Sequence, residues 1–272
     1  MERKIILVTG GSSGIGLATC RYLQHKGCTV YGTSRKTRNG ELMHGIPMIQ
    51  LVVEDSNSIY NAVEWLIAKE GRIDVLVNNA GSGSAGAVED TTTEEIQKLF
   101  NTNVFGQLEC CRAVIPHMRK QNKGQIINMS SIGGEFGLPY RGVYSASKSA
   151  IDRFSETLRM ELMRWNIAVS IVQPGDYKTN INNNRIIAQR SLEKDSPYYK
   201  SFSKNYRSIS NDISKGHDPI DVAKVVWKII NSKRPLMRYP SATFIQRLSL
   251  TLKRILPTHI FQKLLMMRYP VE

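Results

Sequence analysis

The sequence predicts an α/β fold built on a doubly wound parallel sheet. Over residues 1–175, short apolar runs alternate with amphipathic stretches of helix length. This alternation is typical of βαβ units whose parallel sheet is covered on both faces. Right-handed crossovers then wind the sheet in both directions, and ligands bind beyond the carboxyl ends of its strands. The glycine-rich and polar motifs of this chain fall at those ends.

Each apolar run predicts a strand, and each stretch between two runs predicts a helix. The predicted strands are residues 5–8, 29–33, 48–53, 75–77, 125–129 and 168–172. The predicted helices are residues 14–26, 56–70, 93–120, 144–165 and 219–231. Asp218 is a candidate N-cap because it precedes a proline at the first helical position. No internal repeat or linker marks a boundary, so residues 1–272 are expected to form one domain.

The composition excludes several classes of protein. The chain has 272 residues, and 41% of them are hydrophobic, which suits a protein with a sizeable core. The cysteines are too few and too irregularly spaced for a disulfide framework or a zinc site, which favours a reducing, cytoplasmic setting. No metal site is expected. The N-terminus does not read as a secretory signal, and no apolar stretch approaches the ~20 residues of a membrane span.

The net charge of +14 is concentrated in the last third of the chain. Residues 178–216 carry +5 and residues 233–272 carry +7, whereas residues 1–177 carry only +2. No nucleic-acid recognition element accompanies this charge, so a solvated basic face is favoured and no nucleic-acid partner is expected. Binding of DNA or liposomes with a strong salt dependence would instead indicate a charge-driven binding protein.

Two basic segments follow the predicted sheet. Residues 176–216 are rich in Asn, Ser and Tyr and are weakly periodic; a long segment directly after a strand is usually a binding loop, here for the substrate. Residues 241–272 form a basic amphipathic extension, with Phe244, Leu248 and Leu252 at helical spacing and a second piece at 260–267. Packing over the substrate loop or against a partner subunit is the favoured interpretation. Peripheral contact with an anionic membrane surface is the alternative.

A glycine-rich turn joins the first predicted strand to the first predicted helix. It reads Thr9-Gly10-Gly11-Ser12-Ser13-Gly14-Ile15-Gly16. Glycines allow the backbone to turn tightly and to approach phosphates, and a helix N-terminus supplies unpaired N–H groups and a positive dipole. This strand–turn–helix context predicts dinucleotide binding. The second strand is followed by Ser34 and Arg35 rather than an acid, which favours the 2′-phosphate of NADP(H) over NAD(H).

A tyrosine and a lysine lie four residues apart on one predicted helix. At this spacing, Tyr144 and Lys148 share a helix face. A free tyrosine titrates near pH 10, and a lysine cation beside it favours the phenolate and lowers its pKa. Ser131, thirteen residues before Tyr144, can polarise and orient a carbonyl oxygen. Ser130 is the neighbouring alternative, with a backbone-bonding role as its simpler explanation.

With these motifs in view, the chain resembles the short-chain dehydrogenase/reductase family, whose members have a Rossmann fold. The resemblance covers residues 5 to about 180. It rests on the glycine-rich turn, Asn78–Gly81, Asn103, Ser131, Tyr144-x-x-x-Lys148, Pro174, Gly175 and Thr179. One position departs from the family pattern: Val52 stands where an aspartate beside the adenine is common, and Glu54 or Asp55 is a candidate to replace it.

The resemblance implies a catalytic role for each matching residue. Tyr144 would be the general acid–base, and Lys148 would lower its pKa and hold the nicotinamide ribose. Ser131 would stabilise the substrate oxygen, and Asn103 would maintain a water that relays protons through Lys148. The cofactor contacts would include Asn79, Ala80 and Gly81 on the adenosine side, and Pro174, Gly175 and Thr179 at the nicotinamide.

The segment between Ser131 and Tyr144 carries apolar side chains and is expected to form one wall of the substrate pocket. Phe136 and Tyr140 are the predicted substrate contacts, beside Leu138 and Pro139. This favours a lipophilic carbonyl or alcohol, such as a steroid, a retinoid or a long-chain ketone, although apolar walls are normal for pockets. The family commonly pairs through the helices predicted at 93–120 and 144–165, so a homodimer or homotetramer is expected.

The sequence therefore predicts an NADP(H)-dependent oxidoreductase that transfers a hydride between nicotinamide and a carbonyl or secondary alcohol. The alternative is a catalytically idle protein that binds NADP as a sensor or scaffold. Idle relatives usually lose the tyrosine, lysine or serine, and this chain keeps all three together with Asn103.

Overall fold

A computed structural model describes residues 3–179, 185–214 and 216–271. Its main sheet has eight strands in the order β10-β8-β7-β5-β1-β2-β4-β3, and a separate pair joins β6 to β9. The strands are β1 (Ile5–Val8), β2 (Thr29–Ser34), β3 (Leu42–Met43), β4 (Ile46–Gln50), β5 (Val75–Asn78), β6 (Ser84–Ala85), β7 (Gly124–Met129), β8 (Ile167–Pro174), β9 (Ile186–Ile187) and β10 (Arg238–Ser241).

Helices cover both faces of this sheet. They are α1 (Gly14–His25), α2 (Ser56–Glu70), α3 (Thr93–Phe100), α4 (Gly106–Lys120), α5 (Gly142–Leu162), α6 (Tyr199–Ser214), α7 (Ile220–Ile230), α8 (Phe244–Ile255) and α9 (Thr258–Arg268). All neighbouring strands of the main sheet run parallel except β3 and β4, which form an antiparallel edge. The doubly wound α/β fold in a single domain is therefore confirmed.

Successive residues of the central strands enter two separate cores. Ile5 and Leu7 pack with α2 and α4 on one face, whereas Ile6 and Val8 pack with α1 and α7 on the other. Side chains alternate across a strand, so a continuous apolar run can cover both faces of the sheet. The sequence order reverses beside β1, which pairs with β2 on one side and with β5 on the other. This reversal is the point at which doubly wound sheets bind ligands.

The helix predicted at 93–120 is interrupted in the structure. Residues Asn101–Phe105 form a π-helical turn between α3 and α4, in which the N–H of Gly106 bonds to the carbonyl of Asn101. Apolar periodicity does not reveal one inserted residue, because the faces before and after the turn both remain amphipathic. Such π turns are frequently found at functional sites.

The third predicted strand ends earlier than expected. β4 stops at Gln50, and the chain then turns, with the N–H of Val52 bonded to the Ser58 hydroxyl and the N–H of Asp55 bonded to the Val52 carbonyl. Asp55 caps α2 by accepting from the N–H of Asn57. At α7 the N-cap residue is Pro219, one residue later than predicted, although the Asp218 side chain does accept from the N–H of Ile220.

The basic last third of the chain is more ordered than its weak periodicity indicates. Within residues 176–216 lie β9 and α6, and within residues 241–272 lie α8 and α9. The extension packs over the earlier segment: Arg268 donates to the Ser208 hydroxyl at 3.1 Å, and Asn205 of α6 donates to the carbonyl of Pro270. Among the described helices, none is both long and apolar enough to cross a membrane.

Candidate active site

A cavity of about 740 Å³ opens at the carboxyl ends of the central strands. Its lining includes the ends of β5, β7 and β8, the first turns of α5, the helices α8 and α9, and the segments that follow β7 and β8. Carboxyl ends of parallel strands meet at one edge of a sheet, which places chemically active residues from distant parts of the chain around one space.

The glycine-rich turn after β1 is too crowded for side chains. Gly10 and Gly14 have φ values of +64° and +53°, in the left-handed region that favours glycine. A Cβ on Gly11 would lie 2.5 Å from the Cα of Gly32, and a Cβ on Gly16 would lie 2.1 Å from the carbonyl oxygen of Gly10. The backbone is thus packed closely between β1, β2 and α1, as a dinucleotide-binding turn requires.

The start of α1 offers unpaired backbone donors. Ser13 is the extended N-cap residue, and its hydroxyl makes no capping bond within the described part of the chain. Ser12 is half-buried, Ser13 is exposed, and Ile15 lines the cavity. The first N–H groups of the helix and its positive dipole are therefore available to an anion such as a pyrophosphate.

The end of β2 carries the predicted 2′-phosphate contacts. Arg35 is exposed, and the Ser34 hydroxyl accepts from the N–H of Lys36 at 3.2 Å. Neither residue lines the cavity. Their position beside the glycine-rich turn is where the distal ribose of a dinucleotide lies in this fold.

The turn after β5 is tied to β1 by one threonine. The Thr9 hydroxyl accepts from the N–H groups of Asn79 at 2.9 Å and Ala80 at 3.0 Å, and the Asn79 amide donates back to the Thr9 carbonyl at 3.0 Å. Asn79 and Gly81 line the cavity. Two strand ends that would border a dinucleotide are thereby held together.

At the end of β8, the predicted nicotinamide contacts border the same cavity. Pro174, Gly175 and Thr179 all line it. A Cβ on Gly14 would lie 3.3 Å from Cγ2 of Thr179, so Thr179 faces the glycine-rich turn. Of the two acids proposed to replace the aspartate beside the adenine, Asp55 caps α2, and Glu54 accepts from the Thr102 hydroxyl at 2.6 Å.

Ser131 and Tyr144 converge on Gly133. A Cβ built on Gly133 would lie 3.5 Å from Ser131 Oγ and 3.7 Å from a ring carbon of Tyr144. Ser131 accepts from the N–H of Gly133 at 3.1 Å and donates to the carbonyl of Pro174 at 3.4 Å. Ser130 instead donates to the carbonyl of Lys148 at 3.2 Å, which is the backbone role that was its simpler explanation.

Lys148 is buried beneath the tyrosine. Its Nζ lies 5.9 Å from the centroid of the Tyr144 ring and donates to the carbonyl of Met129 at 3.0 Å. Burial lowers the pKa of Lys148 to about 8, and the charge of Asp152 partly opposes this shift. Burial also raises the pKa of Asp152 to about 6. Asp152 was not predicted, although it lies one turn after Lys148 on α5.

Asn103 is held on the other side of Lys148 by the π turn. Its side chain is buried, accepts from the N–H of Ser82 at 2.7 Å and donates to the Ser82 carbonyl at 2.9 Å. It also donates to the Ser147 hydroxyl at 3.1 Å. A Cβ built on Gly81 would lie 3.2 Å from Asn103 Oδ1 and 3.6 Å from Lys148 Nζ. The four predicted catalytic side chains therefore belong to one cluster.

Of the two predicted substrate contacts after Ser131, only Phe136 lines the cavity, together with Leu138. Tyr140 is 8% exposed, and its hydroxyl donates to Ser201 at 2.6 Å. The Tyr140 backbone has a φ of +59°, and its ring packs on Phe202 of α6. The prediction placed Tyr140 on the wall of the substrate pocket, whereas in the structure its side chain packs in a separate apolar cluster.

Sequence reasoning missed the contribution of the last two helices to the cavity. Leu252 of α8 and Phe261 and Leu265 of α9 line it, and the Phe261 ring lies edge-on to Phe136 at 5.1 Å. The helical spacing of these apolar residues was visible in the sequence. Their spacing did not show that the far end of the chain returns to the carboxyl edge of the sheet.

Comparison with known proteins agrees with this geometry, which is that of a nicotinamide-dependent oxidoreductase. The chain matches the family model described as short chain dehydrogenase over residues 4–189. It is 41% identical over 272 residues to the 3-ketodihydrosphingosine reductase of Bacteroides thetaiotaomicron, covering all of both chains. The chain belongs to the short-chain dehydrogenase family.

Solved structures share the whole fold. A short-chain dehydrogenase from Streptomyces avermitilis is 30% identical with a TM-score of 0.81, over 98% of this chain and 96% of that one. The structure of ElxO with NADP bound is 28% identical with a TM-score of 0.71, over 88% of this chain and 96% of that one. The C-terminal helices are included in the first of these matches because its coverage is almost complete.

Proposed function

We propose that this protein transfers a hydride between NADP(H) and a carbonyl or secondary-alcohol carbon of a lipophilic substrate. The observation that carries the proposal is the convergence of Ser131, Tyr144 and Lys148 in one cavity beside the glycine-rich turn. An idle NADP-binding sensor or scaffold has no need of this geometry. The described site keeps each side chain that proton transfer to an oxygen requires.

In this proposal, Tyr144 is the general acid for reduction and the general base for oxidation. Its phenol donates a proton to the oxygen that becomes an alkoxide, and the reverse step returns that proton. Lys148 stabilises the phenolate left behind because its ammonium group is close to the ring and shielded from water. Its own pKa of about 8 keeps it mostly charged at pH 7.

Ser131 and Asn103 act on either side of this pair. The Ser131 hydroxyl can turn from the Pro174 carbonyl to the substrate oxygen, which it would orient towards Tyr144. Asn103 is fixed by Ser82 and would position a water beside Lys148, through which the proton lost by Tyr144 is replaced. The π turn supplies the placement of Asn103 that a regular helix would not.

The residues around the site fit a dinucleotide. The glycine-rich turn would hold the phosphates: Gly10, Gly14 and Gly16 leave room for them, and Ser12, Ser13 and Ile15 lie at the start of the helix. The turn after β5 would border the adenosine side with Asn79, Ala80 and Gly81. Pro174, Gly175 and Thr179 would hold the nicotinamide end, and Lys148 its ribose. When bound, the nicotinamide supplies or accepts the hydride.

NADP(H) is the proposed form of the cofactor because Arg35 stands where an acid would select NAD(H). We expect Arg35→Ala to weaken NADPH binding by on the order of 1.5–3 kcal/mol and to leave NADH binding almost unchanged, since a charge-assisted bond to a phosphate is lost. Fluorescence titration with each cofactor measures the two dissociation constants. Arg38→Ala, an exposed neighbour, is the matched control. An equal effect of Arg35→Ala on both cofactors would refute the assignment.

A lipophilic substrate is proposed from the side chains that line the cavity. Phe136, Leu138, Leu252, Phe261 and Leu265 provide an apolar wall opposite the catalytic cluster. The named activity of the Bacteroides relative, on 3-ketodihydrosphingosine, supports the same class. Initial rates of NADPH and NADH oxidation with steroid, retinoid, long-chain and aromatic carbonyls test the proposal. NADPH-dependent turnover is expected, and tight NADPH binding without any turnover would favour the idle sensor.

We also propose that the protein forms a homodimer or homotetramer through α4 and α5. The region carries exposed apolar side chains at Phe105, Met160 and Met163, which are 54%, 66% and 67% exposed. A second copy of this chain would cover them: Phe105 ends the π turn before α4, Met160 lies on α5, and Met163 directly follows α5. The substrate loop at 176–216 and the extension at 241–272 then remain on the cavity side.

Peripheral contact with an anionic membrane is proposed for the outer side of the extension. Phe244 and Ile255 are 80% and 71% exposed, and the basic side chain of Arg254 is exposed beside Ile255. We expect co-sedimentation with phosphatidylglycerol-containing vesicles and much less with pure phosphatidylcholine. Phe244→Ser combined with Ile255→Ser should abolish it, whereas Leu42→Ser, 69% exposed on β3, should not. Equal binding to both vesicle types would contradict the proposal.

A further inference from the structure

Two arginines enter the cavity beside the catalytic tyrosine. Arg141 is the residue before α5, and its guanidinium carbon lies 5.9 Å from the centroid of the Tyr144 ring. Arg185 comes from the segment after β8, and its guanidinium carbon lies 5.6 Å from the Tyr206 ring. Both side chains line the same cavity as Tyr144.

Both arginines are half-buried, and among the described residues neither pairs with a carboxylate; Arg185 is hydrogen-bonded to the neutral hydroxyl of Tyr206. Within the described residues, no ion pair involves Arg141 or Arg185, and Arg141 Nε and Arg185 Nη1 are buried without a hydrogen-bond partner. Arg238 shows the usual arrangement in this protein, since it is also half-buried and pairs with Glu135 at 3.1 Å and with Glu156. Buried donors that lack a partner are costly and call for an explanation.

The two arginines also repel each other. The pKa of Arg185 is lowered, first by burial and then by the positive charge of Arg141, and no carboxylate contributes to its shift. The acid that lines the cavity in the described residues is Asp176, which accepts from Gln246 of α8 at 2.6 Å. A folded protein tolerates two such cations in one pocket when a bound anion compensates them.

We propose that Arg141 and Arg185 bind an anionic group of the substrate, namely a sulfonate, phosphate or carboxylate close to the carbonyl that reacts at Tyr144. Guanidinium groups present paired donors that match the oxygens of these anions. Phe261 and the leucines of α8 and α9 then receive the hydrocarbon chain. The substrate is accordingly an anionic amphiphile. This inference rests on the proposed function, because it describes the substrate of the same site.

The 2′-phosphate of a dinucleotide does not account for these arginines. Ser34 and Arg35, where that phosphate is expected, do not line the cavity. Arg141 lies instead beside the Tyr144 ring, and Arg185 interacts electrostatically with both Arg141 and Tyr144. Their charge therefore selects among substrates rather than among cofactors.

Matched ketones test the inference directly. Three long-chain 3-oxo compounds are compared. They differ only at carbon 1, near the carbonyl, which carries a sulfonate, a hydroxyl or a trimethylammonium group. The wild-type kcat/KM should be highest for the sulfonate and lowest for the trimethylammonium compound. Arg185→Gln should lower kcat/KM for the sulfonate on the order of tenfold to a hundredfold and affect the hydroxyl compound much less. Arg141→Gln should also lower kcat/KM more for the sulfonate than for the hydroxyl compound, with an additional loss common to all three ketones because Arg141 lies beside the Tyr144 ring. Thermal unfolding of each variant reports whether it folds.

Arg190→Gln is the matched control, because Arg190 lies in the same segment but pairs at the surface with Glu193 and Asp195. A wild-type preference for the neutral or cationic ketone, or equal losses on all three ketones, would overturn the inference and leave the proposed reaction intact. Absence of turnover with every ketone would instead count against the proposed function.

Binding measurements test the arginines without turnover. Decane-1-sulfonate, decyl phosphate and decanoate are titrated into the NADPH complex by calorimetry, with decanol as the neutral comparison, all below micellar concentrations. We expect at least one anion to bind more tightly than decanol. This preference should be lost in Arg185→Gln and kept in Arg190→Gln. The order of affinities among the three anions identifies the chemical group that is preferred. Equal binding of decanol and all three anions would overturn the inference.

Discussion

Replacing Tyr144 by phenylalanine is expected to lower kcat by about 10²- to 10⁴-fold, which is the range that a general acid–base contributes. The change removes one oxygen and keeps the ring, so NADPH binding and the melting temperature should stay close to those of the wild type. Steady-state rates, cofactor titration and thermal unfolding measure the three quantities.

Tyr140→Phe is the matched control for this substitution. Tyr140 lies four residues before Tyr144, but its hydroxyl bonds to Ser201 outside the cavity. Loss of that bond should cost about 1 kcal/mol of stability and leave kcat unchanged. Full activity in Tyr144→Phe would contradict the mechanism. A large loss of activity in Tyr140→Phe would show that Tyr140 does contact the substrate.

Replacing Lys148 by methionine is expected to lower kcat by about a hundredfold or more, because the phenolate of Tyr144 loses the cation that stabilises it. Methionine has a similar length and no charge, so the apolar surroundings of the site can accommodate it. In the wild type, reduction should also slow as the pH rises above about 8, where Lys148 loses its proton. Rates measured as a function of pH compare the two proteins.

The same substitution changes how stability depends on pH. Burial lowers the pKa of Lys148 from 10.5 to about 8 in the folded state. Below pH 8 both the folded and the unfolded states hold the proton; between about 8 and 10.5 only the unfolded state does. The free energy of unfolding of the wild type should therefore rise with pH across this window, by at most about 1.4 kcal/mol per pH unit from this group.

Urea denaturation of both proteins at pH 7, 8, 9 and 10 isolates this contribution. The difference between wild type and Lys148→Met should change with pH in favour of the wild type, while all other ionisable groups cancel. A difference that stays constant from pH 7 to pH 10 would show that the pKa of Lys148 is not lowered in the folded protein.

The local motifs of this protein can be recognised in the sequence because their chemistry depends on residues that are close together along the chain. The glycine-rich turn between β1 and α1 requires small residues at fixed spacing, and Tyr144 and Lys148 share a face because one helix turn separates them. The six predicted strands were equally clear, since most of their residues are buried, whereas β3, β6, β9 and β10, of two to four residues each, were not predicted. Boundaries were less exact, as at β4, where side-chain bonds of Ser58 and Asn39 set the end of the strand.

The remaining parts of the site depend on contacts between distant segments. The π turn at Asn103 matters because it brings that residue to Lys148, and periodicity does not show it. Tyr140 and Phe136 lie close together in an apolar run, but Tyr140, with its positive φ, packs in a separate apolar cluster while Phe136 lines the cavity. Arg185 and Phe261 reach the cavity only because the basic last third of the chain folds back over the sheet edge.

Transfer of deuterium from NADPH labelled at C4 tests the central claim most directly. The substrate is the ketone with the highest turnover, and the product alcohol is analysed by mass spectrometry. Two samples of NADPH are compared, each labelled on one face of C4. Because Tyr144 and Ser131 hold the substrate oxygen on one side of the cavity, one sample should deliver one deuterium to the carbinol carbon and the other sample none. Product without deuterium from either labelled face would contradict hydride transfer at this site.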